Sequence, residues 1–277
     1  MTMQVILDSL AASFMANPVA WITFLITVGG AITLIILERV FPYAPYQKLF
    51  RPGFFNDFFW YSIVQSYILG LIIFGLIGVI DDVAPFERIS IVRDLPLWLQ
   101  VVVFIVIHDF YIYWFHRFQH HSKFFWRTHE AHHSTEDVDW LSGSRSHSLE
   151  ILINQTVEFM PIILLASAEV AAIKGCIDAV WGMYIHANLD VRTGWLQFVI
   201  NGPEMHRWHH ATDVEAHNKN FSTKIAVWDW IFGTAYLPRG RKPSGYGLGE
   251  SFPTNYFLQH AYAFRAFGDH KRDDRTG

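Results

Sequence analysis

Asp109-Phe-Tyr-Ile-Tyr-Trp-Phe-His116-Arg-Phe-Gln-His120 continues through His121-Ser-Lys-Phe-Phe into Trp126-Arg-Thr-His129-Glu-Ala-His132-His133-Ser134. An apolar run thus passes directly into two histidine clusters. A third follows as His206-Arg-Trp-His209-His210, and His186 stands alone in His186-Ala-Asn-Leu-Asp190. Within the clusters the key spacings are three or four residues. On a helix these spacings bring side chains to one face, close enough to share an ion. Neutral imidazole suits Zn, Cu, Fe and Ni. Nine such histidines exceed the needs of one ion and point to a polynuclear metal site.

Upstream, the run from Leu95 to Phe115 is interrupted only by His108 and Asp109, and two further uncharged apolar runs cover Pro18–Leu37 and Phe58–Ile80. Each meets the roughly 20 residues needed to cross a bilayer. An ionisable pair inside such a run is read as functional, and His116 lies two turns beyond Asp109 on the same face. Arg117, Lys123 and Arg127 follow the third run, and Lys48 and Arg51 separate the first two. The Asp81–Asp94 loop carries four acids against Arg88 and Arg93. The positive-inside rule then favours an outside N-terminus and histidine clusters on the cytoplasmic side. The N-terminus lacks the pattern of a cleaved signal peptide, so its apolar run is expected to be retained.

Downstream, Ile151–Ile185 is apolar but carries Glu158, Glu169, Lys174 and Asp178. To return to the histidine side it should form a helical hairpin. Arms of about 16 residues would be about 24 Å long, short of a roughly 30 Å core, with the turn near Lys174-Gly175. From Asp190 the chain is polar, and Pro238–Gly249 reads as a loop. The expected class is all-α: a polytopic membrane helix bundle with a cytosolic histidine-rich metal-binding cap. Its parts would be membrane helices over 1–107, the histidine region over 108–238 and a polar tail over 239–277.

Composition agrees: 52% hydrophobic and 17% aromatic residues, with a mean hydropathy of +0.20, are too apolar for an ordinary soluble enzyme. A net charge of −4 gives no sign of nucleic-acid binding. Cys176, the single cysteine, excludes an intramolecular disulfide and a cysteine-rich metal site.

His108, His121, His260 and His270 stand outside the clusters and read as ordinary hydrogen-bonded histidines, and His217 is left out as well. His129-Glu130-Ala-His132-His133 satisfies H-E-x-x-H, in which two histidines hold zinc and the glutamate is a general base. A membrane zinc hydrolase is therefore one alternative, and a non-catalytic metal-binding protein another. The hydrolase would leave the other clusters without a purpose. Two ions, nitrogen ligands and a membrane location fit O₂ chemistry on a lipid, for which zinc has no redox capacity. Under that reading Glu130 is a helix-surface residue between ligands.

The boxes resemble those of the fatty acid hydroxylase/sterol desaturase superfamily of integral-membrane di-iron enzymes. The first runs from Asp109 through Tyr113-Trp114 to His116-Arg117 and His120. The second is Trp126-Arg127-Thr-His129-Glu-Ala-His132-His133-Ser134. The last is Pro203-Glu204-Met-His206-Arg207-Trp-His209-His210, then Asn220-Phe221 and Trp228-Asp229-Trp-Ile-Phe232-Gly233-Thr234. His186-Ala-Asn188 matches the family's intermediate site, and the whole match covers about residues 105 to 238. The resemblance implies that His116, His120, His129, His132, His133, His186, His206, His209 and His210 are catalytic metal ligands for two iron ions, with zinc able to substitute in purified protein. It also implies O₂ as co-substrate, a bilayer lipid as substrate, and a separate electron donor, cytochrome b5-like or ferredoxin with its reductase. One departure is Arg145-Ser-His147-Ser148-Leu-Glu150, where many members have proline for Ser148. His147 is a candidate tenth ligand or a donor behind the ligands. Asp109, Asp213 and Asp229 are candidates for orienting histidines. Trp114, Trp126, Trp208 and Trp228 read mainly as packing and interface residues. The compact chain suggests a bacterial inner membrane, or the endoplasmic reticulum if eukaryotic.

Overall fold

The computed structural model describes residues 12–83 and 90–266; His270, Glu87 and Arg88 lie outside them. Within the described residues the chain is helical, and its extended pairing is limited to three isolated bridges. Helix α1 is Pro18–Val40, opened by Pro18 and by the Asn17 side chain accepting from Ala20 N. Helix α2 begins as a wide π-helical segment, Asn56–Gln65, and continues as Ser66–Val83. Helix α3 is Leu97–His121 and α4 is Lys123–His133, broken apart at Ser122, whose hydroxyl caps α4. Then come α5, Ser148–Leu165, and α6, Ala168–His186. Short helices α7 (Pro203–His209), α8 (Val227–Ile231) and α9 (Tyr256–Tyr262) complete the polar part.

Among the described residues, four helices are long and apolar enough to cross a membrane: α1, Asn56–Ile80 of α2, α3 and α5. Their outward residues, such as Leu25, Ile36, Leu71, Phe74, Val102 and Ile107, remain exposed, as lipid-facing side chains should. Their inner faces make the core. Val101 and Phe104 of α3 pack on Ile162 of α5 and Val170 of α6, while Leu69, Ile73 and Ile77 of α2 pack on the other side of α5. Leu34 of α1 meets Trp140, Leu141, Ala187 and Leu189 below the histidine region. Buried Glu38 at the end of α1 accepts hydrogen bonds from Trp140 N and Asn188 N at 2.8 and 2.7 Å, tying that helix to the same region.

The hairpin forms, but its turn is elsewhere. The chain reverses at Ala166-Ser167, giving arms of 18 and 19 residues, about 27 and 28 Å long. Lys174 and Gly175 lie inside α6. Lys174 is fully buried there because Glu158 of α5, Asp178 of its own helix and His108 of α3 surround its ammonium at 2.5, 2.6 and 2.9 Å. A lysine satisfied from three helices does not need a turn to reach water.

Candidate metal centre

Two histidine groups form where α3, α4, α6 and α7 meet. His116, His120, His129, His133 and His209 make one, and His132, His186, His206 and His210 the other. Within each, one nitrogen per ring lies within 4.8 Å of all the others. The groups adjoin: the His133 and His210 rings are 4.5 Å apart, and those of His129 and His132 are 4.9 Å apart. His129 and His133 belong to one group and His132 to the other, so a single turn of α4 serves both. All nine residues are buried.

The outer nitrogens set the tautomers. His116 Nδ1 donates to Phe221 O at 2.8 Å, His209 Nδ1 to Lys219 O at 2.8 Å, His132 Nδ1 to Arg145 O at 3.0 Å and His186 Nδ1 to Gly182 O at 2.7 Å. A carbonyl only accepts, so the hydrogen sits on Nδ1 and the Nε2 lone pair points inward. His129 Nδ1 is likewise held by the Glu150 carboxylate at 3.1 Å. The inward lone pairs then face each other. His116 and His129 Nε2 are 3.0 Å apart, His132 and His186 Nε2 3.3 Å, and His186 and His206 Nε2 2.8 Å. Nε2 of His120, His133 and His209 has no hydrogen-bond partner among the described residues.

Opposed lone pairs in a buried site repel unless a cation lies between them. Two nitrogens bound to one ion at the ~2.0–2.1 Å typical of imidazole–metal bonds stand roughly 3 Å apart. The residues present therefore fit two metal ions. Burial pushes the His132, His133, His206 and His210 imidazoles well below their usual 6.5, with neighbouring imidazoles adding to the effect, and burial brings His209 to about 3. They remain neutral, as ligands must.

Local backbone explains the aim of the rings. Asn218 and Asn220 adopt left-handed conformations with φ of 57° and 56°, which asparagine tolerates better than most residues. The Asn220 amide donates to Met205 O and Tyr236 O. The turn so fixed presents the carbonyls of Lys219 and Phe221 to His209 and His116. Gly143 admits His186 closely: a Cβ there would lie 2.5 Å from its Nδ1.

The other expected residues fall differently. Asp229 accepts from Phe221 N and Ser222 N, both at 2.9 Å, and so supports the carbonyl that holds His116 rather than an imidazole. Asp109 accepts from Lys224 N, Ile225 N and the Thr223 hydroxyl, pinning the next few residues. Asp213 instead accepts from Ser244 N and Oγ, at a partly exposed turn. His147 stands outside both groups: it caps α5 and stacks on His260 at 4.5 Å. It is drawn away because its helix turns Glu150, three residues on, toward His129. His260 is engaged too, its Nε2 accepting from Ser148 N at 3.0 Å. Glu130 is not on a surface. It is fully buried, and both its oxygens pair with the Arg265 guanidinium at 2.8 Å. Trp126 lies 5.0 and 5.3 Å from the His120 and His133 rings and lines a small cavity beside them. Glu150, absent from the sequence-derived set, had one signal: its place three residues after His147 in the altered motif.

Residues 101–234 match the fatty acid hydroxylase family profile. This region belongs to the fatty acid hydroxylase family. The hydroxylase domain includes all nine histidines. Curated relatives include an ornithine lipid hydroxylase of Rhizobium tropici, 30% identical over 174 residues, covering 62% of this chain and 53% of that protein. The human alkylglycerol monooxygenase is 32% identical over 126 residues, 46% of this chain and 28% of that protein. Methylsterol monooxygenase 1 of Rattus norvegicus is 27% identical over 138 residues, 47% of this chain and 44% of that protein. The chain thus spans about half or less of the length of these relatives. No solved structure matches it.

Proposed function

We propose that the hydroxylase domain inserts one atom of O₂ into a C–H bond of a membrane lipid. The observation that carries this is the pair of adjoining, buried, all-histidine groups whose Nε2 atoms converge, beside apolar helices long enough to span a bilayer. His116, His120, His129, His133 and His209 would hold one iron ion, and His132, His186, His206 and His210 the other. When bound, two ferrous ions supply redox chemistry toward O₂ that zinc lacks. Per turnover, RH, O₂, two electrons and two protons give ROH and water, so an electron donor is required, and a separate protein is proposed for that part. Oxygen insertion is favoured over desaturation because the relatives above are named as hydroxylases and monooxygenases.

The chain's own residues do the positioning. Carbonyls of Phe221, Lys219, Arg145 and Gly182 and the Glu150 carboxylate fix five imidazoles, which reduces reorganisation at the site. A cavity of about 230 Å³, lined by His116, His129, His132, His186 and His206, brings substrate to the same nitrogens. The hydrolase alternative is disfavoured by Glu130, whose carboxylate is engaged by Arg265 and is not available as a general base. The loop charges support placing the histidine end on the cytoplasmic side.

The test is lipid mass spectrometry of cells with and without the gene, with a His132→Ala control, under oxygen-18 gas. A lipid gaining one labelled oxygen only with the active gene is expected. A lipid losing two hydrogens instead would replace hydroxylation by desaturation. A hydrolysis product without labelled oxygen would overturn the proposal.

A further inference from the structure

The polar cap holds one stretch that is not polar. Residues 194–200 and α8 together carry a single charged residue, Asp229, and it is buried. Trp195, Phe198 and Ile231 are 72%, 53% and 63% exposed. The Phe198 and Trp230 rings lie 4.6 Å apart, and Val199 O accepts from Ala226 N, so the two pieces form one surface. An exposed apolar surface of this kind marks an interaction site.

Its place against α3 says what it meets. Val102, Val106, Phe110, Trp114 and Phe118 recur every fourth residue along α3 and are all exposed, a row facing lipid. The apolar surface joins this row from the side: the Trp228 ring lies 5.1 Å from Phe110, and the Phe232 ring 4.9 Å from Trp114. Helix geometry gives the depth. Arg93 and Asp94 are exposed just before α3. A core of roughly 30 Å, about 20 residues of helix, therefore begins no earlier than about Leu97 and ends no earlier than about residue 117. Phe110 is then about 10 Å inside it, and Asp109 about 12 Å. Asp109 accepts from Lys224 N, Ile225 N and the Trp228 indole, which holds the start of α8 at that level.

The backbone suits that medium. In hydrocarbon each N–H and C=O must find its partner inside the protein. Asn201 N donates to Lys224 O, Ala226 N to Val199 O and Ile200 N to Leu196 O, while Ile200 and Ile225 form a bridge. The Trp230 indole donates to Gln197 O, and the Lys224 ammonium is paired with Asp178 at 2.9 Å.

We infer that residues 194–200 and α8 form a wedge immersed in the bilayer leaflet on the histidine side, with Trp195, Phe198 and Ile231 among its acyl chains. The wedge does not cross the membrane; it enters and leaves from one side. Thr223 and Lys224, just before it, line the cavity beside the histidines, so one side of this stretch is cavity wall while the other faces lipid.

Spin labels on single cysteines test this in the full chain, reconstituted in phosphatidylcholine vesicles in a Cys176→Ala background. Trp195→Cys and Ile231→Cys are the probes, Ile107→Cys in α3 the lipid reference and Arg239→Cys the aqueous one. Dissolved oxygen should relax both probes as strongly as the lipid reference. A water-soluble nickel chelate should relax them several-fold less than the aqueous reference. Nickel access equal to that at Arg239→Cys would overturn the inference by making the surface aqueous. Protection from both reagents would also overturn it, since a second copy of the chain or a partner protein would then cover the surface. Wild-type chain in vesicles whose lipid carries a diazirine on the acyl chain covers the case of a variant that fails to fold. Photolysis should leave lipid adducts on residues 195–200 and 230–231 as well as on α3; adducts on α3 alone would refute the wedge. These readouts depend on neither metal nor turnover, so their failure leaves the lipid-oxidising reading standing.

Discussion

Replacing Glu130 by glutamine separates structure from chemistry at this site. Glu130 is fully buried, and each of its oxygens accepts a 2.8 Å hydrogen bond from Arg265. A glutamine amide keeps one acceptor but turns an N–H₂ group toward the guanidinium, and the arginine loses this carboxylate as an ion-pair partner. Removing one partner of a buried pair costs about 3–5 kcal/mol. Because one hydrogen bond survives, the lower end, ~3 kcal/mol, is expected. For a chain of this size that lowers the melting temperature by roughly 6–12 °C. A fluorescence melt of metal-loaded protein in detergent reads the shift, and product formed per metal-loaded molecule reads the chemistry. Turnover per loaded molecule should stay within a few-fold of wild type. Adding Arg265→Gln should recover part of the lost stability, since the two positions are coupled. A Glu130→Gln protein that melts like wild type, holds its metal and does not turn over would refute the reasoning and make Glu130 a general base.

His132→Ala and His209→Ala remove a ligand from different groups, so each should abolish product and lower bound metal from about two ions toward one, by elemental analysis. Glu150→Gln should leave the fold intact but weaken metal retention about 10–100-fold in chelator competition, since Glu150 orients His129. Metal-free protein should have a melting temperature that is flat above about pH 7 and falls steadily as pH drops from 6.5 toward 3. The folded His132, His133, His206 and His210 imidazoles sit below 6.5, and His209 at about 3, so through that window only the unfolded chain gains their protons. A melting temperature that rises on acidification would contradict the burial of neutral rings. Cysteines placed at the exposed positions 123 and 239 in a Cys176→Ala background should both label from the cytoplasmic side; labelling of position 239 only from outside intact cells would reverse the orientation.

The histidines were legible because metal binding demands a residue type and helix periodicity dictates its spacing. The membrane runs were legible for a similar reason, since bilayer thickness sets a length. The groups that hold the rings were not. Phe221, Lys219, Arg145 and Gly182 act through backbone carbonyls, which every residue has, so no side chain announces the role. Lys174 read as a hairpin tip because a charge in an apolar run suggests water nearby. Besides Asp178 on its own helix, its partners lie 16 residues back on α5 and 66 back on α3, too remote to see from local pattern. Glu130 was misplaced because it stands between ligands on a short helix, and its partner is 135 residues away. Asp109 and Asp229 were recognised as acids of consequence, but their target is the backbone beneath the site.

The Glu130–Arg265 pair also gives the site a history. The nine imidazoles are made between residues 116 and 210, but the arginine that closes over the outer side of α4 comes 55 residues after His210. At ribosomal rates of ~5–20 residues per second, roughly 3–11 s separate the two events. For that interval a nascent chain has every ligand but not its last clasp, and α4, which serves both groups, is still free to adjust. The arriving C-terminal segment then fixes α4 in place through that ion pair.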